Sequence, residues 1–132
     1  MRVLVLFVIG LLLGEAGTLI TVRALDRGTS YPEAVMSVMG QQMTALDRSI
    51  KQSRCASTDL TPRLQTLRFV ANDIEPAFTE MQDEAQFGRY DSELRAAVDL
   101  SLMTPPASCA AATAAMTNIA KACDSCHRDY KD

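Results

Sequence analysis

From Tyr31 onward the apolar positions fall at helical intervals. In YPEAVMSVMGQQMTALDRSIKQS, residues 31–53, Met36, Met39, Met43, Leu46 and Ile50 recur at steps of three and four. Pro32 stands where a first helical turn tolerates proline. A second stretch, TDLTPRLQTLRFVANDIEPAF, repeats the rhythm at Leu60, Leu64, Leu67, Ala71, Ile74 and Phe78, and Pro76 is expected to end or kink it. A third runs from about Phe87 through Leu94 and Val98 to Leu102 and is stopped by TPP at 104–106. A fourth places Cys109, Ala112, Met116, Ile119, Cys123, Cys126 and Tyr130 on one stripe. Short links force neighbouring helices antiparallel, so the pattern predicts an all-α domain, an antiparallel four-helix bundle over residues 31–132. Each stripe is too narrow to stabilise a lone helix, and stability has to come from packing stripe on stripe. No internal repeat or low-complexity segment interrupts it.

The first residues, MRVLVLFVIGLLLGEAGTLITVRALDRG, obey a different rule. Arg2 precedes an apolar run from Val3 to Leu13, as in a secretory signal, and small residues at Gly14-x-Ala16 or Val22-x-Ala24 suit cleavage. From Val3 to Val22 only Glu15 is charged, which is also apolar length enough for an uncleaved membrane anchor through residues 3–22. Residues 1–24 are therefore read as a signal peptide or an anchor helix, and 25–30 as a linker. A buried core helix is the plain alternative. Either main reading exports the rest of the chain, and export permits disulfides.

Composition changes this picture little. The 132 residues are 48% apolar but only 5% aromatic, lack tryptophan and are rich in good helix formers, in keeping with an all-α domain. Net charge is −3 and the basic residues form no cluster, which argues against a nucleic-acid partner. Asp73, Glu75 and Glu80 stand isolated and read as surface charges, so no catalytic set emerges.

The chemistry sits at KACDSCHRDY, residues 121–130. Two cysteines three apart are followed by the chain's single histidine. Two thiols at this spacing can capture two vinyl groups on one edge of a porphyrin, and the next residue can turn an imidazole under the iron. Cys123 and Cys126 are thus expected to carry haem c through thioether bonds, with His127 as proximal iron ligand. A redox Cys-x-x-Cys normally opens a helix after a strand, where the dipole lowers a thiol pKa; this one closes a helix. A zinc site would have three clustered ligands here and would need a distant cysteine.

A Cys-x-x-Cys-His at the C-terminal end of a four-helix domain resembles the class II c-type cytochromes, the cytochromes c′ and their low-spin relatives. The resemblance covers about residues 31–131. It is strong at CDSCHRDYK, where Tyr130 and Lys131 stand at the family's aromatic and basic positions. Lys131 replaces the more usual arginine, and the middle of the chain matches by helix pattern alone and is shorter than in typical members. The resemblance implies haem attachment outside the bacterial cytoplasmic membrane by c-type maturation machinery. It also makes a homodimer through the first two helices one expectation, because family members often pair in that way.

Cys55 and Cys109 remain. In an up-down-up-down bundle the end of the first helix and the start of the fourth meet, and these residues fall at those two places, so a disulfide is expected; two buried reduced thiols are the alternative. The pairing serves as a ruler. From Cys109 to His127 is about eighteen residues, or roughly 27 Å of helix, and the same distance back from Cys55 reaches Ser37. The face of the first helix nearest the iron is therefore expected around Met36 and Met39.

With one histidine, bis-histidine ligation within one chain is impossible. The segment MSVMGQQMTAL, residues 36–46, is similar to the first-helix segment of methionine-ligated family members, in which the ligand methionine is followed by glycine, methionine and leucine at the spacings of Gly40, Met43 and Leu46. That register implies Met36 as distal ligand, with Met39 as second choice and Met43 as third; a methionine stripe is otherwise core packing. The resulting expectation is an electron carrier and not an enzyme: a periplasmic monohaem c-type cytochrome, soluble or tethered by its N-terminus, exchanging single electrons with periplasmic or membrane redox proteins. A five-coordinate protein binding NO or CO on the same scaffold is the first alternative. A haem-free helical interaction domain, stabilised by the disulfide or by zinc, is the second.

Overall fold

The computed structural model describes residues 2–26 and 28–131; residues 1, 27 and 132, and the side chains of 3–6, 12 and 23–26, lie outside the described residues. Among the described residues six α-helices follow in order: α1 (Arg2–Asp26), α2 (Tyr31–Lys51), α3 (Ser57–Ala71), α4 (Ile74–Ala77), α5 (Ala85–Met103) and α6 (Cys109–Tyr130), with a 3-10 turn, Thr79–Met81, before α5. The all-α expectation is met: no strand occurs among the described residues.

The chain divides into two units, Met1–Ser30 and Tyr31–Asp132. The first contains α1, whose Phe7, Leu13 and Ile20 are 67%, 69% and 70% exposed. The helix runs on to Asp26, into the stretch read as linker. Among the described residues no helix is long and apolar enough to cross a membrane, so the anchor expectation is not supported there. The anchor expectation includes residues 3–6 and 12, and one cleavage site of the signal-peptide expectation includes Ala24, all outside the described side chains.

The second unit is built from its four long helices. α2 packs on α3 and α6, and α5 packs on the same two, which closes a ring. Leu46, Leu67, Val98 and Ile119, the largest fully buried side chains, come one from each of these helices and mark the centre of the core. The stripes lie where the periodicity puts them. Leu60, Leu64, Leu67, Ala71 and Ile74 are all buried, as are Met39 and Leu46 of α2, with Met36, Met43 and Ile50 half-buried at its edges.

The ends of the helices have local causes. α2 ends in a Schellman motif: Arg54 N–H donates to Ser49 O at 2.8 Å, and Ser53 N–H donates to Ile50 O at 2.9 Å. Ser53 takes the left-handed conformation, φ 58°, that this turn requires. The tight reversal brings Cys55 back toward the bundle, where it is buried. α6 starts at Ser108, whose side chain accepts from Ala111 N–H at 3.1 Å and satisfies one of the free donors of the first turn.

One boundary differs from expectation. The helix expected to run to Pro76 breaks earlier, at Asn72 and Asp73, leaving Pro76 inside the short α4. Proline acts on the residue four before it, because its ring crowds that carbonyl and it has no N–H to offer. Here that residue is Asn72, the C-cap of α3. α3 and α5 are then clamped by Arg68, whose Nε donates to Asp99 Oδ1 at 2.8 Å.

Cys55 and Cys109 are joined by a disulfide with Cα atoms 5.2 Å apart, which puts the end of α2 beside the start of α6. The two helices are therefore antiparallel, and the early turns of α2 face the late turns of α6.

Candidate functional site

Those facing turns enclose a cavity of about 290 Å³. α6 lines it with Cys123, Cys126 and His127, and α2 lines it with Met36, Met39, Gly40 and Met43. Phe87, Tyr90, Asp91 and Leu94 of α5 and Ile74 of α4 close the rest. Every thiol, imidazole and thioether singled out in the sequence for one site thus borders one space.

Helical spacing explains the α6 wall. Cys123 and Cys126 are three apart and half-buried on the same face; His127, the next position round, is exposed at the rim. The two thiols are free. Burial pushes Cys123 above the ordinary thiol range, with Asp124 adding to it, and burial also raises Cys126, with Asp91 and Asp129 adding. Both lie near the C-terminal, electronegative end of a helix, the opposite of the setting that activates a redox Cys-x-x-Cys. Among the described residues no three His, Cys, Asp or Glu side chains converge to hold a metal ion.

The last turn of α6 is fixed from α5. Tyr90 Oη donates to Asp129 Oδ2 at 2.6 Å and Tyr130 Oη donates to Glu84 Oε2 at 2.7 Å. Tyr130 also meets Phe87 edge-on, with ring centroids 5.4 Å apart. His127 O accepts the N–H of Lys131 at 3.1 Å, which completes the end of the helix.

Across the cavity, Met39 is 6% exposed and belongs to the core, whereas Met36 is half-buried at the cavity edge. The disulfide ruler pointed to this pair, and both border the same space as His127. Gly40 lies between Met36 and Met43, and a Cβ there would meet no atom within 4 Å. The backbone of α2 is thus bare at this point of the wall. The donor types that a covalently held porphyrin would need are present here, two thiols and an imidazole on one side and thioethers with bare backbone on the other, with apolar Ile74, Phe87 and Leu94 between them.

Asp91 was missed by the sequence reading. It lies four residues after Phe87 and three before Leu94, on the buried stripe of α5, and that position was the available signal. Its side chain is 1% exposed and stands 2.8 Å from Arg95 Nη2. Arg95 is shared with Glu75, 3.8 Å away; Glu75 is half-buried, unlike the plain surface charge expected, while Asp73 and Glu80 are exposed.

Comparison with protein-family models, with curated proteins and with solved structures finds no match.

Proposed function

We propose that this chain is a monohaem c-type cytochrome of the class II, four-helix type, carrying single electrons outside the cytoplasmic membrane. One observation carries the reading: both thiols of CDSCH, the only histidine and Met36 border one cavity in the bundle. Residues 1–24 supply the export address that this compartment requires.

When bound, the haem supplies a one-electron ferric/ferrous couple. Cys123 and Cys126 would hold it through thioether bonds to its two vinyl groups. Raised thiol pKa values suit cysteines that keep still until an electrophile enters the cavity. His127 would offer an imidazole nitrogen to its iron. Met36 offers a thioether from the facing helix, a ligand type that favours the reduced iron and suits electron transfer. Ile74, Phe87 and Leu94 keep water from the space between.

Expression with c-type maturation machinery tests this. The expected product is red, with low-spin bands that CO leaves unchanged and a C-terminal peptide heavier by one haem. A high-spin spectrum altered by CO would move the reading to the gas-binding alternative, and a colourless protein of peptide mass alone would overturn it.

A further inference from the structure

Asp91 borders the cavity, and its carboxylate is buried beside it with Arg95 as an ionic neighbour. Neither Oδ1 nor Oδ2 has a hydrogen-bond partner. Arg95 approaches Oδ2 at 2.8 Å as an ionic neighbour without a directed hydrogen bond. The other charges bearing on Asp91 are Glu75 of α4, which opposes its charge, and Arg68 of α3, which favours it. α2 brings methionines and Gly40 to the cavity and no charge, and α6 brings the Cys126 thiol, Asp124 and His127. A side chain 1% exposed, short of donors and bordering the space assigned to the haem is costly to keep for packing alone.

We propose that Asp91 sets the redox potential of the haem, its buried carboxylate favouring the ferric porphyrin, which carries one more positive charge than the ferrous. This rests on the haem reading above. In a cavity with little water the interaction is weakly screened and outweighs that of a surface carboxylate. Burial raises the Asp91 pKa, and Arg95 opposes that rise without cancelling it, so the carboxylate acts as a charge well above the ordinary carboxylate range of pH. Asp91 touches no electron donor or acceptor in this account; it acts through the field at the iron.

The test is an optical redox titration of the haem-loaded protein at pH about 8, above the ordinary carboxylate range. Asp91→Asn and Asp91→Ala are compared with Glu93→Gln, an exposed position on the same helix that loses the same formal charge. At a fixed applied potential the ferrous-to-ferric ratio is expected to rise about tenfold in both Asp91 variants, an upward shift of about 59 mV, and to change less than about twofold in Glu93→Gln. Arg95 retains Glu75 as counter-charge in the Asp91 variants, so the bundle is expected to fold. Asp91 variants that titrate like Glu93→Gln, or that shift downward, overturn the proposal. So does failure of both to give folded, coloured protein, since that assigns Asp91 to holding the bundle together. A colourless wild-type protein defeats the haem reading itself and is told apart at the first step.

Discussion

Tyr130 donates its hydroxyl hydrogen to Glu84 over 2.7 Å, joining residues 46 positions apart. The bond ties the residue three past His127 to the N-cap of α5, and Tyr90 with Asp129 makes a second tie beside it. The Glu84 bond, and then burial, pushes Tyr130 from its ordinary 10.0 up to about 12. A raised pKa means stability that is intact below pH about 10 and lost as pH climbs toward 12. Far-ultraviolet dichroism together with tyrosinate absorbance is expected to show the bundle weakening across that window, and Tyr130→Phe is expected to be less stable at pH 7 but less sensitive there. Superimposable alkaline curves would show that this tie does not hold the helix end.

The disulfide closes a loop of 54 positions. Chain entropy assigns such a loop about 4 kcal/mol, and native disulfides in small domains typically contribute 2–5 kcal/mol. Cys55→Ser with Cys109→Ser is therefore expected to lower unfolding free energy by about 2–4 kcal/mol in a denaturant titration. A thiol count on the unmatured chain should find two free groups before reduction, Cys123 and Cys126, and four after it. Four free thiols without a reductant would contradict the pairing.

Met36 and Met39 sit one turn apart on α2 but differ in burial, so the proposed ligation by Met36 and the packing of Met39 call for different outcomes on substitution. Met39→Ala removes a core side chain and is expected to cost about 2–5 kcal/mol while leaving the spectrum low-spin. Met36→Ala is expected to cost less stability and to open the iron, giving a high-spin spectrum that responds to CO. The reverse pattern would make Met39 the ligand.

Ser53 occupies a left-handed position that glycine adopts without steric cost, φ 58°. Ser53→Gly relieves that strain, of order 1 kcal/mol, and is partly offset by the greater freedom of the unfolded chain. Thermal unfolding should rise slightly. A fall would mean that the serine side chain gives more than the backbone loses.

Much of this molecule is written in its periodicity. Leu60 to Ile74 form an uninterrupted stripe in both sequence and structure, because steps of three and four leave one face to bury. The cysteine placement was legible for a similar reason: helix rise is constant, so a pairing at one end fixes which residues meet at the other. Less legible were effects that act at a distance along the chain or against residue type. Pro76 breaks its helix four residues upstream, at Asn72, and not at itself. Asp91, Ser49 and Ser101 occupy buried positions despite being polar, so a stripe drawn through apolar letters alone passes over them. Asp91 is the costly one, because it is the buried charge that borders the cavity.

α6 is secured at both extremities, covalently at Cys109 and through the tyrosine bonds at Asp129 and Tyr130. A beam clamped at each end flexes little when the load on it changes. Under the haem proposal, an electron arriving beside Cys126 would meet one wall already held in place, and small rearrangement is the condition under which charge moves quickly between proteins.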